Sequence, residues 1–252
     1  MRGLLILSAI ALVLWRLNPA ATKELLRRSA LRLCQLGLRV ISRPYVRHAG
    51  VAVVFAPHQD DETLGCGALI ARKRNDGLPV HVVFITDGCA SHPHHPRLAP
   101  REIVAIRRQE ARRALSILGV ESTAVHFLNA TDGTLEALAG AHRDALVGQI
   151  MGVLRRIRPG EIFLPCRRDG STEHDATFAF VGEAVQQLGL RPQVWQYPVW
   201  ARWKPALLFR LLAASQGSCR VPAEDFLDIK RRALHCYRSQ TTAEGHAPAP
   251  AE

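Results

Sequence analysis

The sequence predicts an α/β fold: a Rossmann-like, largely parallel sheet flanked by helices, in a single catalytic domain with an N-terminal helical extension. Three observations predict it. From about residue 50 onward, short Val- and Ile-rich runs alternate with longer segments of helical period, which is the pattern of βαβ units. Asp76-Gly77, Gly119 and Pro159-Gly160 punctuate that alternation, as helix stops do. The chain has 252 residues, 48% hydrophobic and 22% charged, enough to build a core without disulfides or metal. This composition excludes wholesale disorder, a collagen-like repeat and a polytopic membrane protein.

In order along the chain, Leu4–Trp15 is almost wholly apolar between Arg2 and Arg16. It is shorter than the roughly 20 residues a transmembrane helix needs. Its length suits a signal-peptide core, but the flank that follows makes a poor cleavage site. Thr22–Arg43 has Leu and Val at helical spacing, with Arg27, Arg28, Arg32 and Arg39 between them. Such a basic amphipathic helix can lie on an anionic membrane surface. Packing against the core and cleavage of a signal remain the alternatives for residues 1–43. Positive charge behind an anchor favours a cytoplasmic main domain, so the expected location is cytoplasmic and membrane-associated.

Val51–Phe55 reads as a buried strand and Thr63–Asn75 as a helix. Val80–Thr86 reads as a second strand, Gly88–Pro100 as a His- and Pro-rich loop, and Arg101–Leu118 as a helix. Thr123–Leu128 is the third strand, Thr134–Arg158 a long helix and Ile162–Pro165 a short strand. Asp175–Leu188 is a helix, Gln193–Val199 the last strand and Pro222–Arg238 a closing helix. The expected domains are residues 1–43, a catalytic domain over 44–240, and a disordered tail over 241–252.

The formal net charge is +11 and the pI about 10.1, which favours an acidic partner such as a phosphate, an anionic lipid or nucleic acid. Aromatics are 6% of the chain, with no basic stripe interleaved with stacking residues, so no nucleic-acid partner is expected. Cys34, Cys66, Cys89, Cys166, Cys219 and Cys236 are scattered without a C-x-x-C pair. They read as reduced core residues of a cytosolic-facing protein, although an even count leaves disulfides open.

In open α/β sheets, ligands sit outside the carboxyl ends of the strands. One such end reads Ala56-Pro57-His58-Gln59-Asp60-Asp61-Glu62-Thr63. An N-terminal helix cap needs one acidic residue; here three follow a histidine within five positions. Adjacent carboxylates repel unless a cation neutralises them. His58 and Asp61 are three apart, so at a helix start they can face one side, leaving Asp60 free to face another. Zinc accepts imidazole nitrogen and carboxylate oxygen. A later strand end carries Asp169-Gly170-Ser171-Thr172-Glu173-His174, and His174 can complete a site of two histidines and one aspartate. Ferrous iron and cobalt suit the same donors.

P-H-x-D-D-E-T-L-G-C-G after a strand resembles the PIG-L/LmbE-like N-acetylglucosaminyl deacetylases. The resemblance continues in Thr86-Asp87-Gly88, in Ile106 to Ala111, and in Asp132-Gly133. It extends to the Asp169–His174 block and to Lys230 through Ser239-Gln240. It implies a zinc-dependent amidase on a Rossmann-like sheet, acting on an N-acetylated sugar conjugate, with a lipid-linked glycan suggested by the N-terminal helices. His58, Asp61 and His174 match the family's zinc ligands, and Asp60 its general base for the attacking water. Arg107 and Asp132 fall where the family contacts its sugar.

Two departures stand out. Gln59 replaces the usual Pro of H-P-D-D. Ser171 stands where the family commonly has the first His of H-x-x-H, which protonates the leaving amine; Ser171 can donate a hydrogen bond there. The proton then comes from Asp60 or from the His92-Pro93-His94-His95 loop, unless activity is low. A related amidase on another acyl-amine, and a weakened sugar-binding member, are the alternative functions.

Overall fold

The computed structural model describes residues 19–46, 48–93, 98–167, 169–214 and 217–241. Leu4–Trp15, His94, His95 and the tail expected after Thr241 lie outside them. The chain divides into two compact units, residues 1–45 with 200–220, and residues 46–199 with 221–252.

The larger unit holds five parallel strands: β2 (Ala52–Ala56), β3 (Val80–Thr86), β4 (Val125–Ala130), β5 (Glu161–Pro165) and β6 (Gln193–Tyr197), in the order β4-β3-β2-β5-β6. The helices between them are α2 (Asp61–Asn75), α3 (Pro100–Ile117), α4 (Gly140–Ile157) and α5 (Thr172–Gln187). After β6 come α7 (Leu227–Leu234) and α8 (Arg238–Thr241). Every residue of β2 and β5 is buried, which is why both read as uninterrupted apolar runs rather than alternating ones. Val53, Phe55, Val83 and Ile85 pack with Leu146, Ile150 and Leu154 of α4 and with Phe180 and Val181 of α5 in one core cluster. The closing helix α7 packs on α2 and α3. The chain runs outward from β2 through β3 to β4, then returns to β5 on the other side of β2. The topological switch point is therefore between the carboxyl ends of β2 and β5.

At the other end of these strands, Lys73 Nζ lies 2.5 Å from Glu161 Oε2, with both side chains buried. Trp195 Nε1 donates to Glu161 Oε1 at 3.0 Å.

Several element limits differ from the sequence expectation. The helix expected from Thr134 starts at Gly140, because Leu135–Ala137 form a single 3-10 turn and Leu138 is extended; the turn buries Leu135 fully in the core. The helix expected from Asp175 starts at Thr172, which brings Glu173 and His174 into its first turn. The closing helix breaks after Leu234 and resumes as α8, with Tyr237 between them, fully buried. Thr241, expected in the tail, is helical.

The smaller unit comprises α1 (Pro19–Ile41), β1 (Arg43–Pro44), α6 (Pro205–Ala214) and β7 (Cys219–Arg220). Helices α1 and α6 pack together, and β1 pairs β7 in parallel. Arg27 donates to the Trp203 carbonyl at 2.9 Å. Arg220 donates to the carbonyls of Arg39 and Ser42 at 2.8 and 3.1 Å, satisfying the α1 terminus. Helix α6 had no sequence expectation: its run Pro205-Ala-Leu-Leu-Phe-Arg-Leu-Leu has no polar face to set a period. Among the described residues no helix is long and apolar enough to cross a membrane. Cys66 and Cys166 are buried, as expected of core thiols, whereas Cys219 is exposed on β7, where two-residue pairing offers no core to enter.

Candidate metal centre and catalytic turn

The turn from β2 to α2 is built around a strained residue. Asp60 has φ 143° and ψ −28°, a region unfavourable for a side chain with a Cβ. It is held from both sides. Its N–H donates to Glu62 Oε2 at 3.0 Å, and its carbonyl accepts the Leu64 N–H at 2.8 Å. Glu62 is itself fully buried. Its Oε1 accepts the Tyr237 hydroxyl at 2.5 Å and the Thr63 hydroxyl. Burial pushes the Glu62 carboxyl above its usual range, against these hydrogen bonds. One turn into α2, a Cβ on Gly65 would stand 2.1 Å from the Tyr197 ring. That ring is fixed by its hydroxyl, which donates to the Phe55 carbonyl at 2.7 Å.

His58, Asp61 and His174 converge as expected. Their ligand atoms lie within 4.8 Å of one another. Asp61 Oδ2 is 3.1 Å from His58 Nδ1 and 3.4 Å from His174 Nε2. The far side of each ring sets the tautomer assigned to it. His174 Nδ1 donates to Asp169 Oδ2 at 3.0 Å, and that oxygen also accepts the Val199 N–H at 2.9 Å. His58 Nε2 faces Asp132 Oδ1 at 3.0 Å and Glu173 Oε2 at 2.5 Å. With those N–H groups so committed, His58 Nδ1, His174 Nε2 and Asp61 Oδ2 are three acceptors pointed at one another. His174 Nε2 is fully buried and makes no hydrogen bond within the protein. Three convergent acceptors call for protons or a cation, and two imidazoles with one carboxylate fit zinc or a similar divalent ion.

His58 also belongs to a second cluster with Asp132 and Glu173, but both carboxylates are held by backbone donors. Asp132 Oδ2 accepts the Ala90 N–H at 3.0 Å. Glu173 Oε1 accepts those of Gly133 and Leu135 at 2.9 and 3.3 Å. They stand where outer partners that orient a ligating imidazole would stand.

The electrostatics follow. Burial opposes charge on His58, but Asp132, Asp61 and Glu173 outweigh it and hold its pKa well above the usual value. Burial likewise opposes charge on His174, yet Asp169 and Asp61 bring it up to about 9. Asp61 resists its own burial through both histidines and stays far below the usual carboxylate range. Asp60 goes the other way. Burial and the Asp61 charge push it up to about 7, against the Arg107 guanidinium. A bound dication would lower all of these.

Arg107 is buried; its Nη2 donates to the Gln59 carbonyl at 2.7 Å and lies 3.5 Å from Asp60 Oδ1. Its Nε has no protein partner. Gln59, the departure from H-P-D-D, is buried and ties the turn to β3 by donating to the Thr86 carbonyl at 2.8 Å. Gly88 leaves the room: at φ +74°, a Cβ there would stand 2.3 Å from Gln59 Oε1. Ser171 precedes α5, and its hydroxyl makes no cap bond. His92 bonds with the Ser91 hydroxyl at 3.0 Å.

Sequence reasoning assigned no role to Glu62, Asp169, Glu173 or Tyr237. Three of them lay inside the quoted motifs; Tyr237 sits unmarked within the closing block. Asp132 was expected at the sugar, and the structure brings it to His58.

An open parallel sheet with this cluster at its switch point defines the class: a Rossmann-like α/β domain with a candidate metal centre. Residues 53–185 match the family model of PIG-L, GlcNAc-PI de-N-acetylase. The 1D-myo-inositol 2-acetamido-2-deoxy-alpha-D-glucopyranoside deacetylase of Rhodococcus jostii is 30% identical over 236 residues, covering 73% of this chain and 80% of that protein. The diacetylchitobiose deacetylase of Thermococcus kodakarensis is 26% identical over 190 residues, covering 73% and 67%. The solved N,N'-diacetylchitobiose deacetylase from Pyrococcus horikoshii superposes with a TM-score of 0.60 at 22% identity, covering 77% of this chain and 72% of that one. The chain belongs to the PIG-L family, and it is an N-deacetylase, a hydrolase of amide bonds, in a family where metal dependence is typical.

Proposed function

We propose that this protein removes the acetyl group from an N-acetylglucosamine-type sugar conjugate, releasing acetate and a free amine, with Asp60 as the proton acceptor. The convergence of three acceptor atoms beside a strained, partly accessible Asp60 carries this reading. The substrate class follows the relatives, whose names specify acetylated glucosamine-inositol and chitobiose. A lipid-linked sugar is the variant that the basic helix α1 favours. The larger unit would carry the reaction.

His58, Asp61 and His174 would hold zinc, or ferrous iron or cobalt in its place. Bound there, the ion supplies Lewis acidity that favours hydroxide near neutral pH and polarises a carbonyl. Asp60 takes the proton from the attacking water at its carboxylate. Burial holds its carboxyl above the ordinary carboxylate range, which favours accepting a proton and giving it back to the departing amine. That return path answers the missing family histidine at Ser171. Arg107 holds the turn by its grip on the Gln59 carbonyl and limits how far Asp60 rises. Ser171 is the proposed sugar contact; Arg107 and Asp132, buried against the Gln59 carbonyl and His58, would shape the sugar site from behind.

The test is metal content and acetate release, for wild type and Asp60→Asn, with a chitooligosaccharide and a lipid-linked N-acetylglucosamine. Wild type should hold one metal and release acetate, and the variant should stay loaded but turn over about 10²–10⁴-fold slower. Loaded wild type that releases no acetate from either substrate would rule out this substrate class. Protein that takes up no metal would rule out the metal assignment.

A further inference from the structure

We propose that the smaller unit docks this protein on an anionic lipid surface through an exposed apolar stripe of α1. The proposal is independent of the chemistry at His58. Leu25, Leu26, Leu33, Leu36 and Val40 are 52–76% exposed. At about 100° per residue they fall within roughly 100° of arc, the width of the apolar stripe by which a surface helix normally faces a core. Here that stripe faces outward. Leu31, the buried apolar residue of α1, points to the opposite side of the helix. The helix therefore has one apolar face that packs and another that does not.

Charge selects the occupant. Arg28, Arg32 and Arg39, all exposed, fall in a single row along one border of the stripe. Residues 19–45 and 200–220 contain ten Lys and Arg against one acidic residue, Glu24, which is already paired with Arg27 and Arg28. Much of the chain's formal charge of +11 is therefore in this unit. A second copy meeting stripe to stripe in antiparallel fashion would bring like-charged rows together. An anionic bilayer instead offers apolar depth for the leucines and headgroup charge for the arginines. The same unit exposes Trp200, Trp203 and Phe209, 46–61% accessible, and tryptophan favours the membrane–water interface. Helix α1 does not qualify as a span, so it would lie in the interface plane.

The test is co-sedimentation of the full chain with vesicles of phosphatidylcholine, or of phosphatidylcholine mixed equally with phosphatidylglycerol. Binding to the mixed vesicles should be at least about tenfold tighter and should weaken with added salt. The double variant Leu33→Glu/Val40→Glu should lose at least about tenfold in affinity, with an unchanged thermal melt and unchanged acetate release from a water-soluble substrate. Three results would overturn the proposal. The first is wild type free of both vesicle types. The second is a variant that binds as well as wild type, which assigns binding to another segment. The third is a wild-type dimer that the variant splits, with no vesicle binding, which assigns the stripe to a second copy.

Discussion

The Tyr237 hydroxyl donates to Glu62 Oε1 across 175 residues of sequence, at 2.5 Å, with both side chains fully buried. Glu62 uses its other oxygen to hold the Asp60 N–H. The end of the larger unit thus braces the residue proposed as base. Tyr237→Phe removes one buried hydrogen bond while keeping the ring. It should lower stability by about 1–2 kcal/mol and reduce kcat more than KM, read from thermal unfolding and from acetate-release kinetics. An unchanged kcat would mean that Thr63 and the backbone suffice to hold Glu62.

Asp169 holds His174 in the tautomer that leaves Nε2 free to ligate. Asp169→Ala should weaken metal affinity about 10–100-fold, the usual effect of an outer partner, and His174→Ala should weaken it further. Competition against a graded chelator measures both. Equal affinity in Asp169→Ala and wild type would remove Asp169 from the metal's support.

The Lys73–Glu161 pair is buried at the end of the sheet opposite the site. Breaking one side leaves a buried charge, so Lys73→Met should destabilise by about 3–5 kcal/mol. The double variant Lys73→Met/Glu161→Leu should recover much of that loss. Denaturant unfolding of wild type, Lys73→Met, Glu161→Leu and the double variant reads the coupling, and additive losses would mean that the pair does not act as a unit.

Gly65 and Gly182 should respond oppositely to alanine. At Gly65 the new Cβ meets the Tyr197 ring at 2.1 Å, so Gly65→Ala should cost about 1–3 kcal/mol. At Gly182 on α5 nothing lies within 4 Å, so Gly182→Ala should stabilise by about 0.5–1 kcal/mol. The two melting temperatures should move in opposite directions.

Much of the site was legible in the sequence because its central part is local. His58, Asp60 and Asp61 lie on one strand-to-helix turn, where spacing sets His58 and Asp61 to one side and Asp60 to another; the roles proposed for them come from the family resemblance. The strands β2, β3 and β5 were legible because burial on both faces leaves mostly apolar residues. Less was legible where periodicity fails. Helix α6 is too uniformly apolar to display a face, and the start of α4 is displaced by a turn that Leu135 needs to reach the core.

By itself, the sequence determined the alternation that makes a parallel sheet, the acidic turn at a strand end, and a histidine at a second strand end that topology would bring alongside. Local propensity and spacing suffice for those. Only the tertiary structure decided that Asp132 and Glu173 both face His58 Nε2, that Asp169 orients His174, and that Glu62 is a buried brace tied to Tyr237. It alone joined residues 200–220 to the N-terminal helix. These relationships depend on which buried polar atoms meet after packing. Each must find a partner or lose hydration without return, and that partner stands up to 175 residues away.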